Sequence, residues 1–188
     1  MAAPDAGSMI RTKQATHTMS ASASGSTQSL AARLHDLLTD GRDVTLATAE
    51  SCTGGNIAHR ITRNAGSSAY FLGSVVAYAN PVKRDVLGVP EAILNSPGAV
   101  SEPCARAMAE GVRRLMGADL AVSTTGIAGP TGGTVRKPVG LVYIALAMPE
   151  RTVVVEDRFG GDREAVIEAA TDRALALLVD ALVAPSSH

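Results

Sequence analysis

Apolar residues recur along this chain with two periods, and the switches between them mark out its elements. Leu30, Leu34, Leu37 and Leu38 follow the spacing of one helix face, and Gly41 stands where such a helix ends. Val44 to Ala47 is an apolar run of strand length; AESCTGG follows it, and Ile57 and Ile61 then resume helical spacing. A strand, a turn of small residues and a helix start therefore meet between Glu50 and Gly55. Tyr70 to Ala79 (YFLGSVVAYA) is β-branched and aromatic, which predicts a second strand. Pro81 opens a short helix through Lys83 and Val86, closed by Gly88. Ser101 and Glu102 begin a longer helix, with Ala105, Met108, Ala109, Val112 and Leu115 on its apolar face and Gly117 as its stop. Ala118 to Thr125 predicts a third strand, and it runs into GIAGPTGGT, which no regular structure tolerates. Val139 to Met148 and Arg151 to Phe159 predict two strands joined around Pro149. Asp162 caps a last helix whose stripe includes Val166, Ala169, Ala170, Leu175 and Leu178.

Strands and helices alternate first, and a hairpin precedes the last helix. That order predicts a layered α/β domain with a mixed sheet whose final pair is antiparallel. Residues 1–28 stand apart from it. They are rich in Ser, Ala, Thr and Gly and have too few large apolar groups to offset the entropy of ordering them. A disordered tail is expected over 1–28, with Met19 as an alternative translation start, and one folded domain over 29–184.

Composition narrows the function classes. The 188 residues are 46% hydrophobic with a formal net charge of −1, and aromatics make up 3% with no Trp. Neither a positive stripe for phosphates nor a set of stacking platforms is present, which argues against nucleic-acid binding. No run approaches the apolar length that spans a membrane, and the basic N-terminus lacks the apolar region of a secretory signal. Cys52 and Cys104 are too few for a disulfide framework and suit a reducing compartment. A cytoplasmic protein is expected.

Ligands gather beyond the carboxyl ends of strands in sheets of this class, and three polar segments sit there: Ala49–Gly55, Tyr78–Lys83 and Thr124–Thr134. Ser51 at a tight turn can point its hydroxyl into a cleft while helix-start N–H groups hold an anion; equally, Ser51 or Thr53 can simply cap the helix. Cys52 is a second candidate nucleophile or a small buried filler. The four histidines, His17, His35, His59 and His188, give no cluster for a metal. Lys83 is either a solvated surface lysine or a desolvated one able to act as general base. GIAGPTGGT has the composition of a phosphate-cradling loop but lacks the Gly-Lys-Ser/Thr ending of a P-loop, so nucleoside triphosphate hydrolysis is disfavoured. Arg163 can add a cation there or stay in solvent.

Taken together, TAESCTGG, GSSAYFLGSVVAYANPVKRDVLGV, GAVSEP, TTGIAGPTGGT, KPVGLVYIALA and FGGDREAV resemble the C-terminal domain family of the competence- and damage-inducible protein CinA, in order from Leu30 to Leu182. The resemblance implies a three-layer α/β/α sandwich with a mixed, mostly parallel sheet. It implies a nicotinamide-nucleotide amidohydrolase that converts nicotinamide mononucleotide (NMN) and water into nicotinate mononucleotide and ammonia, with no cofactor and no metal. Carried over by motif, Ser51 is the nucleophile and Lys83 its base, with the oxyanion held by N–H groups at the helix start; Thr53 and Thr125 remain open as alternative hydroxyls. The substrate-binding set is Glu50, Thr53, Gly54, Gly55, Tyr78, Asn80, Thr125, Gly126, Gly129, Gly132, Gly133, Thr134 and Arg163. Tyr78 and Asn80 are assigned to the nicotinamide, and the later glycines to the ribose phosphate. The expected partner is a small nucleotide, with neither nucleic acid nor membrane, and the resemblance alone suggests a homo-oligomer. The molybdopterin-binding-like domain of full-length CinA has no counterpart in this sequence, so pyrophosphatase activity is not expected. A non-catalytic pyridine-nucleotide-binding module and a Cys52-dependent hydrolase are the competing readings.

Overall fold

The computed structural model describes residues 28–184, so the tail expected over 1–28 lies outside the described residues except for Gln28. In chain order the elements are α1 (Leu30–Thr39), β1 (Leu46–Glu50), α2 (Asn56–Thr62), β2 (Phe71–Val76), α3 (Asn80–Asp85), the single turn α4 (Glu91–Ile93), α5 (Glu102–Met116), β3 (Leu120–Gly126), β4 (Leu141–Ala147), β5 (Thr152–Arg158) and α6 (Arg163–Val183). The five strands form one sheet in the order β2-β1-β3-β4-β5. β1 runs parallel to β2 and β3, whereas β4 runs antiparallel to β3 and β5. All strands but β4 thus point the same way.

The two faces of the sheet differ in residue size. Leu46, Val122, Val142, Ile144 and Leu146 face a core with α1, α2 and α6. Their alternate neighbours Ala47, Ala49, Ala121, Ala145 and Ala147 lie under α5. Period-two alternation sends bulky residues one way and small ones the other, so α5 packs close and a three-layer α/β/α sandwich results. α5 is itself lined with Cys104, Ala105 and Ala109. At Gly111 a Cβ would lie 2.0 Å from the Leu87 carbonyl oxygen, so only glycine lets α5 close on the segment after α3. Buried Leu87 and Val89 anchor that segment. Leu115, expected on the inward face, is 55% exposed, and Met116, four residues after Val112, packs against the core in its place.

Strand order places the crevice. From β1 the chain crosses to β2 on one side, and from β3 it proceeds to β4 on the other. The carboxyl ends of β1 and β3 are adjacent and parallel while their continuations diverge, which is the geometry that opens a ligand crevice in such sheets.

Candidate active site

A cavity of about 330 Å³ occupies that crevice. The turn after β1 contributes Ser51 and Cys52, and the segment after β2 contributes Tyr78. α3 supplies Asn80 and Lys83, the end of β3 and the loop after it supply Thr125 to Gly129, Thr131 and Gly132, and α6 supplies Arg163. Ala99 and Val100, from the segment leading to α5, add an apolar wall with Ile127 and Ala128. Motif reading missed Thr131, Ala99, Val100, Ile127 and Ala128. Apolar residues on irregular backbone carry no period, so only their position reveals them.

Lys83 lies at the centre. Pro81 fits the first turn of the six-residue α3, and Lys83 is the one residue of that helix whose side chain is buried. It is 1% exposed. Its Nζ lies 3.0 Å from Ser51 Oγ, 2.7 Å from the Ala77 carbonyl oxygen and 3.1 Å from that of Tyr78. No carboxylate among the described residues is paired with it. Burial accordingly pushes its pKa below the ordinary lysine value. A neutral amine fits the same geometry well: two N–H groups donate to the carbonyls, and the lone pair accepts from the Ser51 hydroxyl.

Competing hydroxyls and the thiol are engaged elsewhere. Thr53 Oγ1 donates to Glu50 Oε2 at 2.8 Å and lies 2.7 Å from Thr124 Oγ1. Thr125 Oγ1 donates to the Ala99 carbonyl at 2.7 Å. Burial drives the Cys52 thiol up to about 12, which leaves almost no thiolate at neutral pH.

Several expected site residues lie outside the cavity lining. Glu50 is fully buried and turned under α2, where Oε2 accepts from the Gly55 and Ile57 N–H groups, each at 3.0 Å, and Oε1 from Ala58 N–H at 2.9 Å. Thr53 joins this cluster instead of the cavity. Gly54 (φ +63°) and Gly55 (φ +103°) shape the turn into α2. The helix-start donors expected to hold an oxyanion are therefore already taken by Glu50. Among the described residues the Cys52 N–H, next in the chain to Ser51, donates to no backbone carbonyl and lies against its own thiol. Gly133 packs against Val139, and Thr134 closes a turn by donating its N–H to the Lys137 carbonyl at 2.7 Å, so both stand away from the cavity.

The rim is cationic. Arg163 donates to the Gly129 carbonyl and to the Tyr78 hydroxyl, both at 2.8 Å, and has no carboxylate partner among the described residues. Gly129 holds φ +84°, and a Cβ there would lie 2.5 Å from Val139, so the loop's fold over the cavity depends on glycine. Among the described residues no group of three or more His, Cys, Asp and Glu side chains is placed to hold a metal ion. No helix among them is long and apolar enough to cross a membrane.

The CinA C-terminal domain family matches residues 27–182 of the chain. The chain is 53% identical over 152 residues to a CinA-like protein of Syntrophus aciditrophicus, a match covering 80% of this chain and 36% of that protein. It is 57% identical over 125 residues to a CinA-like protein of Geobacter sulfurreducens, covering 66% and 30% respectively. It thus spans about a third of the length of these curated relatives. Among solved structures it is similar to a competence-damaged protein (CinA) superfamily protein of Klebsiella pneumoniae, with 38% identity, a TM-score of 0.78, and coverage of 81% of this chain and 95% of that one. It is also similar to the competence/damage inducible protein CihA of Agrobacterium tumefaciens, with 41% identity, a TM-score of 0.77, and coverage of 81% and 94%.

Proposed function

The chain belongs to the CinA C-terminal domain family, and from that premise we propose that it is a nicotinamide-nucleotide amidohydrolase, turning NMN and water into nicotinate mononucleotide and ammonia. The observation that carries this reading is the 3.0 Å contact between Ser51 Oγ and a buried Lys83 amine that has no carboxylate to hold its proton. The cavity's shape supports it. Ser51, Lys83 and Asn80 make a polar end for a carboxamide, Ala99, Val100 and Ile127 an apolar wall for a ring, and Arg163 a cationic rim for a phosphate.

In the first half-reaction the neutral Lys83 amine accepts the Ser51 hydroxyl proton as Oγ bonds to the carboxamide carbon. The Cys52 N–H is assigned to the oxyanion, since the α2 donors belong to Glu50. As the C–N bond breaks, the Lys83 ammonium returns its proton to the leaving nitrogen, and ammonia departs. Water then gives a proton to Lys83 and attacks the Ser51 ester; the ester C–O bond breaks and Oγ regains the proton.

Incubating the purified chain with NMN and measuring ammonia and nicotinate mononucleotide tests the reading. Stoichiometric appearance of both is expected. Tight NMN binding in a calorimeter without ammonia release would instead identify a non-catalytic pyridine-nucleotide-binding module.

A further inference from the structure

We propose that Glu50, which never meets the cavity, is a positioning residue: its carboxylate ties the turn bearing Ser51 to the start of α2 and thereby holds the Ser51 hydroxyl on the Lys83 amine. The proposal rests on the Ser51–Lys83 reading above.

Both carboxylate oxygens of Glu50 are engaged. Its Oε2 accepts from Gly55 N–H, Ile57 N–H and the Thr53 hydroxyl, and its Oε1 from Ala58 N–H and, at 3.4 Å, the Thr48 hydroxyl. Residues 51–54 are thus spanned by a clamp running from the end of β1 to the first turn of α2. The clamp is fastened sideways as well. Ser51 N–H donates to the Thr124 carbonyl at 3.0 Å, and the Thr53 hydroxyl meets that of Thr124. On the other flank Ala77 N–H donates to the Glu50 carbonyl at 2.8 Å, while the Ala77 carbonyl accepts from Lys83 Nζ at 2.7 Å. One residue, Ala77, therefore joins the backbone of Glu50 to the amine that faces Ser51. A shift at Glu50 moves both partners of the reacting contact.

Glutamine cannot reproduce this clamp. Whichever way its amide turns, an NH2 group faces backbone N–H donors, either those of Gly55 and Ile57 or that of Ala58. The turn must give way, and a misplacement of about 1 Å in reacting groups can cost about 100-fold in rate. Thr53→Val is the milder variant: the carboxylate and its three backbone donors stay, and one hydroxyl goes.

The test compares the purified full chain with Glu50→Gln and Thr53→Val, well below the melting temperature of each. It reads kcat and KM for NMN, the rate at which a β-lactone acylates Ser51 (by mass spectrometry), and the pH dependence of both. Burial lowers the Lys83 pKa, and the neighbouring Cys104 and Cys52 thiols, which burial holds at about 11 and about 12, stay neutral through the working range. An acid limb in the acylation rate therefore reports Lys83. In Glu50→Gln, kcat and the acylation rate should both fall about 100-fold with KM within about threefold, and the acid limb should flatten because the amine no longer meets Oγ. Thr53→Val should fall about tenfold while keeping a cooperative melt. If Glu50→Gln does not fold, Thr53→Val decides alone.

Acylation and kcat within threefold of wild type in the folded variants would overturn the proposal, leaving Glu50 a purely structural group. A raised KM with unchanged kcat would also overturn it, because that is the signature of substrate contact. Should the wild type release no ammonia from NMN yet be acylated at Ser51 in a Lys83-dependent way, the substrate assignment fails, and the acylation rates of the two variants still decide the role of Glu50. A wild-type Ser51 that resists acylation would overturn both.

Discussion

Two ionisable side chains lie buried near one crevice: Glu50 under the start of α2, fully enclosed, and Lys83 on α3, 1% exposed. Their surroundings differ in kind. Glu50 faces donors only, three backbone N–H groups and two hydroxyls, so its negative charge is matched on both oxygens. Lys83 faces two carbonyls and a hydroxyl but no carboxylate, so desolvation is left uncompensated and its pKa falls. A buried charge with full partnership stabilises a turn, whereas one with neutral partners is poised to change protonation. The group that holds thus stands outside the crevice, and the group proposed to react lines it.

The largest effect should come from the reacting side. Ser51→Ala and Lys83→Ala are each expected to lower NMN turnover by at least about 1000-fold, and the double variant by little more, since the two act as a unit. Lys83→Arg should not restore activity, because a guanidinium keeps its proton. Steady-state ammonia release checks this; near-native turnover in either single variant would place the chemistry elsewhere.

On the holding side stability should be lost as well as rate. Glu50→Ala strands the buried Ile57 N–H and the part-buried ones of Gly55 and Ala58 and is expected to cost about 3 kcal/mol, lowering the melting temperature by about 10 °C. A melt unchanged from wild type would mean that water replaces the carboxylate at no cost.

Arg163 sharpens the comparison as an exposed cation. Its charge should bind and not react, so Arg163→Ala is expected to raise KM for NMN about tenfold with kcat little altered. Nicotinamide riboside, which lacks the phosphate, should be a poorer substrate than NMN for the wild type and about as poor for both proteins. Equal loss with both compounds would remove Arg163 from the phosphate.

Lys83→Met should have the opposite sign to Glu50→Ala: inactive, yet more stable by about 1 kcal/mol, because an uncompensated buried amine is replaced by an apolar chain of similar length. The pH dependence follows from the lowered pKa. Between the depressed folded value and the ordinary lysine range the unfolded chain binds more protons than the folded one, so wild-type stability rises with pH through that window. Urea midpoints across that window should rise for wild type and flatten for Lys83→Met. Smallest of all, Cys52→Ala should keep NMN turnover within a few-fold, since a thiol held at about 12 supplies no nucleophile; loss of turnover that substrate protects against alkylation would revive Cys52.

Local physics made most of this molecule legible in one dimension. Periodicity and capping located α1, α5 and α6, with Ser29, Ser101 and Asp162 accepting at their starts, and the apolar runs located all five strands to within a few residues. Those features depend on neighbours three or four positions away, which the sequence contains. The polar strand ends were legible too, and Ser51, Tyr78, Asn80, Lys83 and Arg163 do line one cavity. What the sequence left open was every question of partnership. Glu50 and Ser51 are adjacent in the chain and both polar, yet one turns under α2 and the other into the crevice. Lys83 reads as a surface lysine until α5, closing tightly at Gly111, and the turn after β1 enclose it. By itself the sequence determined which segments become strands and helices and which polar residues gather at the strand ends. Only the tertiary structure decided which charge is neutralised and which is left reactive, because solvation and hydrogen-bond partners come from residues distant in the chain.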